Sequence, residues 1–174
     1  MRRENGFALI DLIFVIGMIG VLAIIAMPRL LAAKMQASAA SAIGSMRAIS
    51  SGQLTFALTC GDGFYAPNLT SLGTAPPGSR ESFIGGGLGD GDTVNKSGYV
   101  VQMTGTGFGA SPSSCNGLAA GLTSQGFKAG ADPADPSAAR FFAVNAGGII
   151  YEDVVSLYAA MPEVGPAPAG RMIR

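Results

Sequence analysis

A single apolar run near the N-terminus constrains this chain more than any other feature. The run, FALIDLIFVIGMIGVLAIIAM, extends over 21 residues from Phe7 to Met27 and contains one charge, Asp11. At the helical rise of ~1.5 Å per residue, a run of this length extends ~30 Å, which is the thickness of the hydrocarbon core of a bilayer. The sequence therefore predicts a membrane-spanning helix.

Two other interpretations of the apolar run remain open. Arg2 and Arg3 form a short basic segment before it, as in a secretory signal peptide. The apolar region of a signal peptide, however, has only about 7–15 residues. A buried core helix would need an apolar shell on all sides, which a chain of 174 residues with 26 glycines can hardly supply. The membrane span is therefore the preferred interpretation.

Two residues, Asp11 within the run and Pro28 directly after it, indicate how such a helix would behave. A carboxylate as deep as Asp11 costs about 2.5–3.5 kcal/mol on insertion scales, so such a group normally has a partner. Near the start of a helix it could instead point toward the lipid headgroups or interact with the positive end of the helix dipole. Pro28 follows the run and lacks the amide hydrogen of an intrahelical bond. It predicts a kink or a locally melted turn.

Composition excludes several classes of function. The chain has no histidine, which removes Ser-His-Asp and Cys-His catalysis and His-ligated metal centres. Eleven basic and eleven acidic side chains give a net charge of zero, so total charge does not support binding to nucleic acid. Residues 1–59 carry five basic and two acidic side chains, whereas residues 60–174 carry six and nine. Neutrality is thus a cancellation between a basic N-terminal part and an acidic remainder.

The chain after Pro28 predicts an amphipathic helix followed by a β-rich domain. Larger apolar residues recur with helical spacing at Leu31, Met35, Ile43, Met46, Ile49, Leu54 and Leu58. Strands are predicted at Tyr99–Thr104, at Phe141–Asn145 and Ile149–Glu152 around a Gly147-Gly148 turn, and near 126–129. Asn68 can start a short helical turn, and the segment from Met161 is expected to be a mobile tail. The expected fold is α+β, with a long helix whose second half packs on a three- or four-stranded antiparallel sheet.

The first thirty residues together resemble the prepilin signature of type IV pilins and type II secretion pseudopilins. The resemblance rests on Gly6 followed by Phe7, an acidic residue at the fifth place counted from Phe7, a short basic leader, about twenty apolar residues and Pro28. The family usually has glutamate where this chain has Asp11. Aspartate keeps the charge but has one methylene less of reach.

The resemblance implies a structural subunit without enzymatic activity or cofactors. Its parts would be a leader over 1–6, a hydrophobic helix over 7–28, an amphipathic continuation over 29–59, and a β-rich head over 60–174. A prepilin peptidase would cleave after Gly6 and methylate the amine of Phe7, and Asp11 would pair with the terminal amine of a neighbouring subunit. The precursor would cross the bacterial inner membrane once. An assembly platform would then polymerise it into a helical homo-oligomer, either a periplasmic pseudopilus or an extracellular pilus.

Four side chains outside the helix are candidates for particular roles. Cys60 and Cys115 could form a disulfide if the domain lies outside the cytoplasm, and two separate buried thiols are the alternative. Asp90 and Asp92 lie in a Gly-Asp-Gly-Asp segment, and paired carboxylates of this kind can bind Ca²⁺. Aspartate is also common in solvated turns, where it bonds to the local backbone.

Two other functions are compatible with the same residues. The first is a single-pass, membrane-anchored extracytoplasmic binding domain that does not polymerise. The second is an anchored hydrolase that uses Asp90 with Asp92, although no helix-supported pocket is evident around these residues in the sequence.

Overall fold

The computed structural model describes residues 9–135 and 140–173 of the chain, which divides into two compact units at Ala37 and Ser38. The described part of the first unit is helical throughout. It consists of the first 29 residues of α1, a helix that is assigned from Leu9 to Thr59. The second unit, called the head domain below, contains the rest of α1 and all the other elements.

The head domain is a six-stranded antiparallel meander with one face against α1. Its elements after α1 are α2 (Leu69–Gly73), β1 (Thr93–Lys96), β2 (Tyr99–Thr104), β3 (Lys128–Pro133), β4 (Phe141–Asn145), β5 (Ile150–Asp153) and β6 (Arg171–Ile173). The strands lie in sequence order, and each pairs with the next. This arrangement confirms the predicted α+β fold, with a longer sheet than expected.

The core forms between the buried face of α1 and the inner face of the sheet. Along α1 the buried apolar residues follow helical spacing, and along β2 every second residue is buried. The two sets meet in one cluster that includes Ala42, Met46, Ile49 and Phe56 from the helix and Val101, Met103, Ala129, Phe142 and Val144 from the strands. Burial of these side chains fixes the register of the sheet on the helix.

A buried glutamine joins α1 to the connection that follows it. The side chain of Gln53 is fully buried, and its amide nitrogen donates to the carbonyl of Ala66 at 2.8 Å. Its amide oxygen accepts from the backbone nitrogen of Ala66 at 2.9 Å. Both polar ends of Gln53 are therefore satisfied inside the core, as a buried amide requires.

The segment between β5 and β6 covers the outer face of the sheet. Leu157 and Met161 from this segment are buried against Ala143 and Tyr151 of the strands. Gly130 of β3 makes room for it, because a Cβ atom there would lie 2.8 Å from Cβ of Tyr158. The sheet is thus covered on both faces.

This arrangement corrects the expectation of a mobile tail from Met161. Met161 is 2% exposed, and Arg171–Ile173 form the sixth strand by pairing with β5. Three residues are too few to produce a recognisable strand pattern, and the partners of this strand are distant in sequence. β1, with the sequence TVNK, was not predicted either, because it has only four residues, although it pairs with the adjacent β2 across Ser97 and Gly98.

Cys60 and Cys115 form a disulfide, as the sequence analysis expected. The bond joins the first residue after α1 to the connection between β2 and β3, and the amide of Cys115 also donates to the carbonyl of Cys60 at 3.0 Å. The two cysteines are 55 residues apart. Closing a loop of that length contributes about 4 kcal/mol in the chain-entropy description.

A charged cluster holds the last strand to the sheet. Glu152 of β5 accepts hydrogen bonds from the guanidinium groups of Arg140 and Arg171, and its side chain is only 12% exposed. The hydrogen bond from Arg140 lowers the pKa of Glu152 most; burial opposes this shift, and the bond from Arg171 reinforces it. The carboxylate is therefore held in its charged form between two cations, one of them on β6.

Two glycines of α1 provide a matched test of how closely the domain packs on the helix. A Cβ atom at Gly52 would lie 2.7 Å from the carbonyl oxygen of Phe83, whereas one at Gly44 would meet nothing within 4 Å. We expect Gly52→Ala to lower the free energy of unfolding by roughly 1–3 kcal/mol, because the backbone at Phe83 must move.

The control, Gly44→Ala, should leave the stability unchanged or raise it by up to about 1 kcal/mol through helix propensity. Thermal unfolding followed by circular dichroism measures both variants. Equal effects at the two positions would contradict the close approach of the segment around Phe83 to the helix.

Candidate functional site

The first unit presents an apolar helix surface that nothing in its own unit covers. Between Leu9 and Ala37 every residue is exposed except the half-buried Ala23. An 18-residue window of α1 has a mean hydropathy of 2.8 with none of it buried, so by length and composition α1 is the one described helix that could cross a membrane. An apolar surface of this extent marks a site of contact with lipid or protein. We call Leu9–Ala37 the bare helix.

Asp11 lies in the first described turn of this helix and is exposed. A carboxylate near a helix N-terminus is favoured by the helix dipole and by unpaired backbone amides. Gly6 and Phe7 lie outside the described residues. Cleavage after Gly6, methylation of Phe7 and the pairing of Asp11 with a terminal amine therefore stay predictions.

The helix assignment of α1 continues through Pro28, so the locally melted turn expected there is not found. Proline in a helix interior removes one hydrogen bond, to the carbonyl four residues earlier, and strains the preceding turn. The helical residues on both sides of Pro28 keep their assignment despite that loss. A bend without melting stays a prediction.

A shallow apolar hollow of about 590 Å³ lies on one side of the bare helix. It is centred on a glycine and lined by Ile13, Phe14, Gly17, Met18, Val21 and Leu22. A Cβ atom at Gly17 would meet nothing within 4 Å, and the same holds at Gly20. Small residues of this kind allow another helix to approach closely.

The structure gives Asp92 a local role in the head domain. Its carboxylate accepts from the hydroxyl of Thr70 at 2.6 Å, from the backbone nitrogen of Thr70 at 3.3 Å and from the amide of Asn68 at 3.3 Å. Asn68 is the N-cap of α2, as the sequence predicted, and accepts from the amide of Ser71 at 2.9 Å. Asp92 therefore stabilises the start of α2.

The same geometry bears on the calcium candidates. Among residues 9–135 and 140–173 no group of three or more Cys, Asp or Glu side chains is close enough together to hold a metal ion. Two hollows lie on the head domain, one at the β4–β5 turn and one lined by Glu152, Asp153, Val154, Gly170 and Arg171, and the described residues that line them do not include Asp90 or Asp92. The arrangement suits a supporting role at the turn better than it suits a ligand set or a hydrolytic pair.

A groove of about 410 Å³ lies at the end of the head domain where β4 turns into β5. It is lined by Arg47, Ser50, Ser51 and Leu54 of α1, by Tyr65 and Phe127, by the turn 146–148 and by Ile150. The residues of this groove could not be grouped from the sequence, because they come from four separate segments. The available signal was weak: Arg47, Ser51 and Leu54 share one face of a helix whose opposite face is apolar.

Comparison of the chain with models of known protein families, with curated proteins and with solved structures finds no match.

The role of Asp92 can be tested with calcium present and absent. We expect Asp92→Ala to lower the free energy of unfolding by about 1 kcal/mol, as loss of a capping side chain does. Asp90→Ala is the matched control and should have little effect. Addition of Ca²⁺ should not change the melting temperature of the unmodified protein. A calcium-dependent rise that disappears in Asp92→Ala would contradict this account and assign the pair to a metal site.

Proposed function

We propose that this protein is a structural subunit of a type IV pilus or of a type II secretion pseudopilus. The observation that carries the proposal is α1 itself. Residues 39–57 include a face buried against a sheet, whereas residues 9–37 form an exposed helix that is apolar up to Met27 apart from Asp11. Such a helix requires a bilayer before assembly, and a bundle of identical helices can replace the bilayer afterwards.

Processing of the prepilin-like N-terminus would convert the membrane-bound precursor into a subunit that can assemble. Cleavage after Gly6 creates a new amine at Phe7, four residues before Asp11. In an apolar environment an ammonium and a carboxylate attract strongly, and either one left unpaired is heavily penalised. Pairing of the amine of one subunit with Asp11 of the next therefore selects a single stagger between neighbouring helices.

The hollow at Gly17 supports close packing of such helices. Helices in an apolar environment associate through van der Waals contact at small residues rather than by exclusion of water. Gly17 provides an open position between Phe14 and Met18 into which a side chain of a neighbour can fit. On assembly, the bare helix would leave its contacts with lipid and make contacts of similar hydrophobicity with the bare helices of neighbouring subunits.

The disulfide supports a location of the head domain outside the cytoplasm. Disulfides persist in oxidising compartments such as the bacterial periplasm and cell surface, and are rare in the cytosol. The bare helix would then be the single membrane anchor of the precursor, with the basic leader on the cytoplasmic side. An assembly platform in that membrane would draw the processed subunit into the filament.

A membrane-anchored binding domain that does not polymerise is the second candidate. The groove at the β4–β5 turn favours it, because the exposed Arg47 lies beside aromatic side chains there. The two functions differ in the fate of the leader: only the filament subunit requires cleavage after Gly6.

Removal of the carboxylate of Asp11 tests the proposed register. We expect Asp11→Ala to enter the membrane normally, since it removes the one charge of the apolar run. Incorporation into filaments should fall at least tenfold, because the terminal amine of the neighbouring subunit would be left unpaired in the apolar core. Immunoblots of the membrane fraction and of sheared filaments measure the two quantities.

Asp11→Glu is the matched control, since it keeps the charge and lengthens the reach by one methylene. It should assemble at least as well as the unmodified chain. Normal filament yield from Asp11→Ala would exclude the role of this carboxylate in register.

A further inference from the structure

We propose that the groove at the β4–β5 turn receives the segment Asp153–Val155 of a second copy of this chain, with Asp153 paired to Arg47. The inference rests on the proposed filament function and deepens it, because it identifies a contact between neighbouring head domains. The groove is lined by the residues given above, and the segment Asp153–Val155 is called the acidic loop below.

The groove has an uncompensated cation and apolar side chains. Arg47 is exposed and makes no ion pair or side-chain hydrogen bond within the described chain. None of the described residues that line the groove is acidic. Leu54, which is 55% exposed, lines the groove together with Tyr65 and Phe127, whose ring centroids lie 5.3 Å apart. A partner that fits must therefore supply apolar side chains next to a negative charge.

The acidic loop has this chemistry. Val154 and Val155 follow β5 directly and are 67% and 59% exposed. Asp153 precedes them, and one oxygen of its carboxylate accepts from the amide of Val154 at 2.7 Å. Its other oxygen has no hydrogen bond among the described residues. Two adjacent exposed valines beside a carboxylate match the groove in both apolarity and charge.

The surroundings of the acidic loop strengthen the charge complementarity. The register places Phe141 opposite Asp153, so the end of β3 with Asp132 lies at the same end of the sheet. The hydroxyl of Ser156 donates to Asp132 at 2.7 Å and ties this carboxylate to the loop. Arg140 and Arg171 also lie near this end, but both bind Glu152. Lys96 of β1 lies at this end too and donates to the carbonyl of Gly86 at 2.9 Å, so Asp132 and Asp153 are the described carboxylates that lie nearest the acidic loop without a bound arginine.

The two surfaces lie at opposite ends of the same strand. Ile150, the first residue of β5, lines the groove, and Val154 follows the last residue of that strand. Four residues of extended chain cover about 13 Å. The acidic loop therefore cannot fill the groove of its own chain. A contact between two different patches can be made head to tail, and a head-to-tail contact whose rotation does not close repeats from copy to copy as a filament.

A filament requires subunits that carry two different contact surfaces, one for each neighbour. Each head domain would offer one groove and one acidic loop, so every subunit can contact a neighbour on either side. The contact would act together with the helix bundle: the helices set the stagger, and the pairing of Arg47 with Asp153 sets the rotation of neighbouring heads. Charge pairs across such interfaces select the orientation more than they raise the affinity.

Charge exchange in the full-length chain tests the pairing. Arg47→Glu and Asp153→Lys should each reduce the yield of sheared filaments about tenfold, because each places like charges in contact. The double variant restores an opposite pair and should recover the yield to within about threefold of the unmodified chain. Arg80→Glu is the matched control, since Arg80 is exposed and lies in neither surface. It should leave the yield unchanged.

Cross-linking identifies the contact directly and also covers the case in which a charge variant fails to fold. In full-length chains with Ser51→Cys and Val154→Cys, a short bis-maleimide applied to filaments should give a ladder of dimer, trimer and larger species. Either single cysteine should give no ladder, because the two patches differ.

The outcomes separate this inference from the proposed function. Filaments that form normally, give no ladder and show no rescue by the double charge exchange would overturn the head contact alone. Groove-bound lipid or a small carboxylate that co-purifies with such filaments would overturn it too, by assigning the groove to that ligand. Unmodified chains that keep Met1 and never leave the membrane would overturn the filament function, and the head contact with it.

Discussion

The structure depends on one unmet requirement: the apolar surface of Leu9–Ala37 must be removed from water. None of residues 9–37 meets that requirement for the others, since all of them except Ala23 are exposed. Apolar surface is costly in water at about 25 cal/mol per Å². A bilayer or other copies of the helix can supply that cover. The proposed function is the case in which the chain uses both in succession.

In the head domain, the apolar face of the rest of α1 is removed from water by the sheet. From Ala39 onward, buried residues recur on one face of α1 and pack on β2, β3 and β4. Gln53 and the disulfide of Cys60 hold the following connections to the helix. One helix thus has two environments, and the change between them is encoded in its sequence. The apolar run ends at Met27, and the first buried residue on the head-domain face of α1 is Ala39.

Local patterns predicted most of the regular elements. The long helix, β2, β4, the cap at Asn68 and the disulfide followed from periodicity, turn chemistry and cysteine placement. β1 and β6 were not predicted, because each has only three or four residues; β6 also pairs with a strand about twenty residues earlier, whereas β1 pairs with the adjacent β2. The cover formed by residues 154–170 was missed for a related reason: its buried residues, Leu157 and Met161, are isolated in a Gly- and Pro-rich segment. The residues that these two side chains pack against, Ala143 and Tyr151, can be identified only when the register of the sheet is known.

Part of the candidate site could likewise be predicted from the sequence and part could not. Asp11 and the bare helix could be recognised from residues that are adjacent in sequence, whereas the groove combines α1 with three distant segments. Asp92 was grouped with Asp90 by sequence, but in the structure it stabilises the start of α2. A pair of carboxylates in a turn does not reveal which backbone amides the fold will bring to it.

The N-terminal residue of the chains in surface or periplasmic filaments tests the account most directly. Filaments would be sheared from native cells, and the N-terminal peptide of this protein would be identified by mass spectrometry. The account predicts a chain that begins at Phe7 and carries one methyl group on its amine. A chain that begins at Met1, or that is found only in the membrane and never in filaments, would contradict it.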